Sequence, residues 1–467
     1  MTFWTDLAAR CRAQQSLVCV GLDPRPERTP PGRAAVTDFC KGVIDATADA
    51  ACAFKPNIAF FEALGLDGLH ALQDVLAHIG DAVPVILDAK RNDISSTASA
   101  YARATFDQWG ADALTVTPYL GRDGVAPFLE YEDRGVFLLC KTSNPSADEL
   151  QEWSQGGIPL YRRVAELASE WAGGGEIGLV IGATYPEAIA RIRRDTPNTW
   201  FLVPGVGAQG GDLEAVLRAG LRPDGSGLVI NASRSIIYAD DPRAAAFELR
   251  DRINACAATL AADDRDAILR AADVRRLANA LFEAGCVQFG EFTLHSGASS
   301  PIYVDLRRLV THPRVMTLVA GVYAGLLRDL TYDRIAAIPY AALPIGTAVA
   351  LHTDDALIYP RREAKAYGTR RQIEGEYHAG ETVVLLDDLI SSGGSKLEAA
   401  APLAEAGLEV RDVVVLIDRE QGGAQDLAEH GYALHAAFTL RELVGALADE
   451  KRITREDADG VLAYLEN

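Results

Sequence analysis

No two cysteines in this chain are spaced as a CxxC pair. None of the seven (Cys11, Cys19, Cys40, Cys52, Cys140, Cys256 and Cys286) joins a metal-ligand pattern. Several lie within apolar strand or helix patterns, where cysteine acts as a small hydrophobe, so a reduced, cytoplasmic setting is expected. Long apolar runs are missing too. Nothing approaches the roughly 18 residues needed to span a bilayer, so no membrane partner is expected. The start, Met1-Thr2-Phe3-Trp4-Thr5-Asp6, has no basic stretch leading into an apolar one, so no signal peptide is expected. Positive charge is also scarce. A net charge of −20 argues against a nucleic-acid partner or an anionic membrane surface. Small phosphorylated substrates are not excluded, since they need only a local cationic pocket. What the chain does have is length. Its 467 residues exceed one ordinary core, and two domains are expected.

The first part repeats one pattern, in which short β-branched runs alternate with longer Ala/Leu/Arg-rich helical stretches. Strands are predicted at Leu17–Asp23, Cys52–Asn57, Pro84–Lys90, Ala113–Tyr119, Gly135–Asn144, Ile177–Ala183, Trp200–Gly207 and Gly227–Ser233. Continuous apolar runs separated by helices imply a parallel sheet buried on both faces. Eight such units in roughly 240 residues match a (β/α)8 barrel. The polar residues Asp23, Lys55, Asp88, Lys90, Ser143, Gln209 and Arg234 fall at strand ends, on the face where barrel enzymes build their sites.

Two features of that face carry chemistry. After the seventh strand, Pro204-Gly205-Val206-Gly207-Ala208-Gln209-Gly210-Gly211 lets backbone N–H groups approach an anion. After the eighth, Arg234 offers a guanidinium for bidentate phosphate contact. The second feature is Asp88-Ala89-Lys90-Arg91-Asn92-Asp93. On a strand, Asp88 and Lys90 share a face, with Lys55 close by at the end of the second strand. An ammonium between carboxylates keeps its proton. A salt-bridge ring that merely holds the barrel shut is the structural alternative, but four charges beside a phosphate loop favour a reaction site.

With Ile94 following, these residues resemble the orotidine 5′-phosphate decarboxylase family, whose Lys-Asp-Lys-Asp tetrad falls on Lys55, Asp88, Lys90 and Asp93. The resemblance covers all eight strands. It implies Asp23 for ribose hydroxyls, Thr97 beside the neighbouring subunit's substrate and Ser143 for the pyrimidine. It further implies Pro204, Gln209 and Arg234 around the phosphate, and an Asp93 that reaches across a dimer interface with Ile94 beside it. No cofactor is expected for this half.

The second half changes character. Residues 244–270 are Ala/Asp/Arg-rich, and the boundary is placed near 258–268, giving expected domains of 1–260 and 268–467. A helix at Val274–Ala284 precedes strands at Phe292–Ser296, Pro301–Asp305, Arg334–Ile338, Ala356–Tyr359, Thr382–Leu386 and Asp412–Ile417. This suggests an α/β domain with an open, mostly parallel sheet. Its most specific segment is an apolar strand ending in Asp387-Asp388, then Ser391-Ser392-Gly393-Gly394-Ser395 and a helix at Lys396–Ala406. A small-residue loop at a helix N-terminus suits an anion. Acids just before it make sense if they hold ribose hydroxyls or act through Mg2+. The Walker A spacing is absent.

This segment resembles the diphosphate-sugar signature of type I phosphoribosyltransferases. The stretches 292–307, 359–370 and 416–423 narrow the resemblance to orotate phosphoribosyltransferases. It implies Lys365 as a mobile-loop lysine that neutralises departing pyrophosphate, assisted by Arg361 and Arg362. Asp387 and Asp388 would hold ribose, Ser392 to Ser395 the 5-phosphate, and Ser391 with Arg419 the orotate. The chain departs from the family pattern at His295, Ala341, Arg362 and Tyr367, changes that bear on pyrophosphate affinity more than on reaction type. Together the halves resemble bifunctional uridine 5′-monophosphate synthases, decarboxylase first. Orotate, phosphoribosyl diphosphate, orotidine 5′-phosphate and UMP are the implied ligands, with Mg2+ in the transferase half and a homodimer or larger homo-oligomer. Two alternatives stay open: a barrel acting on a sugar-acid phosphate, and a second half serving as a ligand sensor.

Overall fold

The structure, a computed structural model, describes residues 2–29, 31–155, 158–173, 175–206, 211–260, 264–293, 299–361 and 372–466, with side chains 155 and 264–266 set aside. It divides into two compact units, Met1–Leu269 and Arg270–Asn467, and the division falls within the helix Asp264–Glu283. Among the described residues no helix is long and apolar enough to cross a membrane.

The first unit is a barrel of eight parallel strands: β1 (Val18–Leu22), β2 (Ala53–Pro56), β3 (Ile86–Arg91), β4 (Ala113–Val116), β5 (Gly135–Lys141), β6 (Gly178–Ile181), β7 (Phe201–Pro204) and β8 (Leu228–Ala232). Hydrogen bonding runs β2-β1-β8-β7-β6-β5-β4-β3. The ring closes between β2 and β3 through the parallel bridges Phe54 to Val85 and Asn57 to Asp88. β1, β2, β4, β6 and β8 are buried along their whole length, as expected of parallel strands covered on both faces. The observed strands are shorter than the predicted ones. At the C-terminal ends the residues left out of the ladder include Asp23, Asn57, Ser143, Asn144 and Ser233, which line the mouth.

The barrel floor is sealed by aromatic packing. The helix Phe3–Gln14 starts on a Thr2/Thr5 capping box and sets Phe3 and Trp4 edge-on against Phe137, with ring centroids 6.0 and 5.1 Å away. Trp4 Nε1 donates to the Glu176 carbonyl at 3.1 Å. Gly178 is required there. A Cβ would lie 2.5 Å from the Phe137 ring and 2.8 Å from that of Trp4.

In the second unit a hairpin, β9 (Val287–Thr293) and β10 (Ser299–Val304), precedes a six-stranded sheet. That sheet comprises β11 (Arg334–Ala337), β12 (Leu357–Pro360), β13 (Ile373–Glu374), β14 (Thr382–Ile390), β15 (Glu409–Asp418) and β16 (Ala433–Thr439), ordered β13-β12-β11-β14-β15-β16. Only β12–β13 is antiparallel. Alternation along β14 and β15 splits the core in two. Val384, Leu386, Val414 and Leu416 pack on one face, and Val383, Leu385, Val413 and Val415 on the other. Three predictions need correcting. The strand placed at Phe292–Ser296 starts instead at Val287, and β13 and β16 were not anticipated. Gly285, Gly290 and Glu291 break up the pattern before Phe292, while β16, with His435 among small alanines, is too mixed to read as a buried run.

The floor packing makes a stability prediction. Gly178→Ala should lower barrel stability by about 1–3 kcal/mol through overpacking, measured by urea unfolding, whereas an unchanged midpoint would mean the aromatic cluster yields freely.

Candidate active sites

Four side chains converge on Asp88 of β3. Lys55 Nζ donates to Oδ2 at 2.8 Å and Lys90 Nζ to Oδ1 at 2.6 Å. Asn57 Nδ2 donates to Oδ2 at 3.3 Å and Thr115 Oγ1 to Oδ1 at 2.9 Å. Burial works against charge on Asp88. The two ammonium groups and their hydrogen bonds outweigh it and hold the carboxyl well below the usual range. Burial also opposes charge on Lys55, yet Asp88 and Asp23 push its pKa above the ordinary value. The pair is therefore ionised at any physiological pH.

Strand alternation alone does not bring Lys90 to Asp88. The register with β4 shifts between Leu87 and Arg91, and Lys90 takes a left-handed conformation, φ 47°, uncommon for a residue with a side chain. Thr115 compensates. Its Oγ1 accepts the amides of Ala89 and Lys90 at 3.0 Å each while donating to Asp88. The kinked strand end and the carboxylate are thus fixed by one hydroxyl.

These groups open into a cavity of about 340 Å³ whose wall includes Asp23, Lys55, Asp88, Lys90, Ser143, Pro204 and Arg234. Asn57, Thr115, Arg25, Asn231 and Ser233 also line it and were not singled out from the sequence. Thr115 carried the one usable signal, a hydroxyl inside a fully buried strand. Asp23 Oδ1, Arg25 Nε, Asn231 Oδ1 and Ser233 Oγ are buried without a hydrogen-bond partner. Each such group costs about 1–3 kcal/mol, so their gathering on one cavity wall suits a polar ligand that would satisfy them. Asp93, Ile94 and Thr97 do not line the cavity. Asp93 instead accepts the Ile94 amide at 2.7 Å, and Ile94 is exposed. Gln209 lies outside the described residues.

The second cluster sits where β14 meets the helix Gly394–Glu405. Lys396, buried in the first turn of that helix, pairs with Asp387 Oδ2 at 2.7 Å. It also donates to the Leu389 carbonyl at 2.7 Å and Ser395 Oγ at 3.2 Å. Asp388 forms no ion pair among the described residues. Burial, then the neighbouring Asp387, push its carboxyl from the ordinary 3.8 up to about 7. Gly393 donates its amide to Asp426 Oδ2 at 3.0 Å, and a Cβ there would lie 2.7 Å from that of Asp426. The loop 391–395 therefore runs tightly against the helix Gly423–Glu429, with Ser392, Gly394 and Ser395 exposed. Ser391 accepts the Gly423 amide at 3.1 Å through its carbonyl. Arg419 follows β15, its amide donating to the Ile390 carbonyl at 2.9 Å and its Nε buried without a partner. Arg361 forms an ion pair with Glu374. Lys365, Arg362, His295 and Tyr367 lie outside the described residues.

Residues 16–249 match the model of the orotidine 5′-phosphate decarboxylase / HUMPS family. Over 98% of its length the chain is 40% identical to the bifunctional enzyme PyrF/PyrE of Nostoc sp., covering 98% of that protein. The chain belongs to the bifunctional PyrF/PyrE family. The barrel alone is 52% identical to the orotidine 5′-phosphate decarboxylase of Azoarcus sp., over 55% of this chain and 99% of that protein. The solved structure of Leishmania donovani UMP synthase aligns with all of this chain and 99% of its own, at 47% identity and a TM-score of 0.54. Each unit ends a parallel sheet in a carboxylate paired with a buried lysine, Asp88 with Lys55 and Asp387 with Lys396.

The raised Asp388 carboxyl sets a pH dependence of stability. Its folded pKa lies above the unfolded one, so its ionisation costs stability that is absent below about pH 4, grows between 4 and 7, and is complete above 7. Asp388→Asn should therefore raise the melting temperature of the second unit at pH 8, with the advantage fading toward pH 4. A pH-independent difference would contradict this.

Proposed function

We propose that the chain makes UMP in two steps: the second unit joins orotate to phosphoribosyl diphosphate, and the barrel decarboxylates the resulting orotidine 5′-phosphate. The observation that carries this reading is the full-length match to a bifunctional PyrF/PyrE enzyme, together with a barrel cavity in which Lys55 and Lys90 flank one buried carboxylate.

In the barrel the phosphate rests near Pro204 and Arg234, with Gln209 completing the grip, and the ribose hydroxyls engage Asp23. Ser143 faces the pyrimidine. The C6 carboxylate then lies beside Asp88, whose fixed negative charge disfavours it. The C6–carboxylate bond breaks, CO2 leaves, and its electron pair remains on C6. The Lys90 ammonium stabilises that carbanion and gives it a proton, later regained from water. Preorganised charge of this kind is usually the largest catalytic term, and the remote phosphate grip holds the substrate in place. Asp93, Ile94 and Thr97, all outside their own cavity, are read as residues offered to a partner subunit's site. A homodimer is therefore part of the proposal, as is a reduced, cytoplasmic setting consistent with seven unpaired cysteines.

In the second unit the orotate ring nitrogen gives up its proton to solvent and bonds to the anomeric carbon as the bond from that carbon to pyrophosphate breaks. Asp387 and Asp388 hold the ribose hydroxyls, and the amides and hydroxyls of Ser392 to Ser395 hold the 5-phosphate. Ser391 and Arg419 take orotate, and Arg419 brings a buried N–H that lacks a partner. Lys365, Arg361 and Arg362 neutralise the pyrophosphate. Mg2+ fits this donor set, because it is commonly held by one or two carboxylates together with substrate phosphates, and the partly buried Asp388 forms no ion pair among the described residues. Bound there it would offset phosphate charge and polarise the leaving group.

Lys90→Ala should lower decarboxylation by roughly 10²–10⁴-fold and leave orotate phosphoribosylation near normal, with Lys365→Ala doing the converse. Assays of the two half-reactions on each variant decide this, and loss of both activities in both variants would sink the assignment of separate sites.

A further inference from the structure

Lys141 is the last residue of β5, and its side chain is wholly buried. It does not line the barrel cavity, so it has no route to the substrate. Its ammonium contacts Asp148 Oδ1 at 2.7 Å and Glu152 Oε1 at 2.8 Å, and it lies 4.5 Å from the centroid of the Tyr185 ring. The two acids bracket the short helix Ala147–Gln151, which closes the loop that begins at Thr142. A second set of bonds ties the same loop to itself. The Thr142 amide donates to Gln151 Oε1 at 2.9 Å, Gln151 Nε2 donates to Thr142 Oγ1 at 2.7 Å, and Thr142 Oγ1 donates to Asn144 Oδ1 at 2.6 Å.

The residues held between these anchors are Ser143 and Asn144, both on the cavity wall. Burying an ammonium costs several kcal/mol before its partners offset it, and apolar replacement of such pairs is often neutral or stabilising. Stability alone is therefore a weak reason for a lysine at this position. Its geometry does one specific thing: it draws both ends of the helix Ala147–Gln151 onto the end of β5 and so fixes the path of residues 142–146.

We propose that Lys141 is a positioning residue, whose buried ammonium clamps the loop 142–152 so that Ser143 and Asn144 meet the pyrimidine ring of the bound nucleotide. This rests on the reading of Ser143 as the base contact. The phosphate grip comes from β7 and β8, on other loops, so loss of the clamp should weaken recognition of the base and spare recognition of the sugar phosphate.

The test compares inhibition of the decarboxylase by UMP, which carries the base, with inhibition by ribose 5-phosphate, which does not. It uses the full chain as Lys141→Met and, separately, as the double variant Asp148→Asn/Glu152→Gln. The double variant keeps the buried lysine but removes its anionic partners at the loop, and it serves if Lys141→Met fails to fold. UMP binding is expected to weaken about tenfold, as for one well-made hydrogen bond lost, with ribose 5-phosphate binding changed less than about twofold. Equal losses for both ligands would reduce Lys141 to a structural salt bridge and overturn the proposal, as would no loss for either. Ser143→Ala separates the two levels. If it leaves the ratio of the two affinities unchanged, Ser143 is not the base contact, whereas a selective loss there without one in the clamp variants removes the role of Lys141 alone.

Discussion

The chemistry proposed for the barrel depends on keeping one carboxylate charged where water scarcely reaches it. Asp88 is buried, and burial alone would protonate it. Two ammonium groups, an amide and a hydroxyl reverse that balance. The arrangement needs β2, β3 and β4 side by side, so barrel closure at the Asn57–Asp88 bridge is as necessary as the charges. It also needs Lys90 in a backbone conformation that few side-chain-bearing residues adopt, held there by Thr115. Removing Lys55, whose pair with Asp88 is buried on both sides, would leave a buried charge underpaired, a loss of about 3–5 kcal/mol, whereas Lys90 is half exposed and its removal costs less.

The second unit meets the same difficulty differently. Lys396 pairs with Asp387, while burial and then the neighbouring Asp387 charge push the Asp388 carboxyl up to about 7. The chain has only seven lysines among its 45 Lys and Arg residues. Three of them, Lys55, Lys141 and Lys396, are buried with carboxylates. Arginine supplies most surface pairs, while the compact ammonium is used where a point charge must fit between strand ends.

Much of this was legible in the sequence, and the reasons are physical. Parallel strands buried on both faces leave continuous apolar runs, so all eight barrel strands could be placed, and charged residues stood out at their ends. Asp387-Asp388 before a serine/glycine loop was visible for the same reason. Asn57 was not, because an amide becomes informative only when a neighbouring strand brings a carboxylate to it, and Thr115 stood out only as a hydroxyl inside a buried strand. β16 was missed because its small residues make a weak hydrophobic pattern, and β13 because two residues carry no period. Asp93, Ile94 and Thr97 illustrate the opposite case. Their motif was clear, yet within one chain they stand away from the cavity they were grouped with.

This single chain joins the two chemistries. Orotate, phosphoribosyl diphosphate and Mg2+ should be mixed with the purified full-length protein alone, and orotate, orotidine 5′-phosphate and UMP followed together. Stoichiometric conversion of orotate to UMP is expected with no other enzyme added. Orotate left unconsumed, or orotidine 5′-phosphate accumulating without UMP, would contradict it.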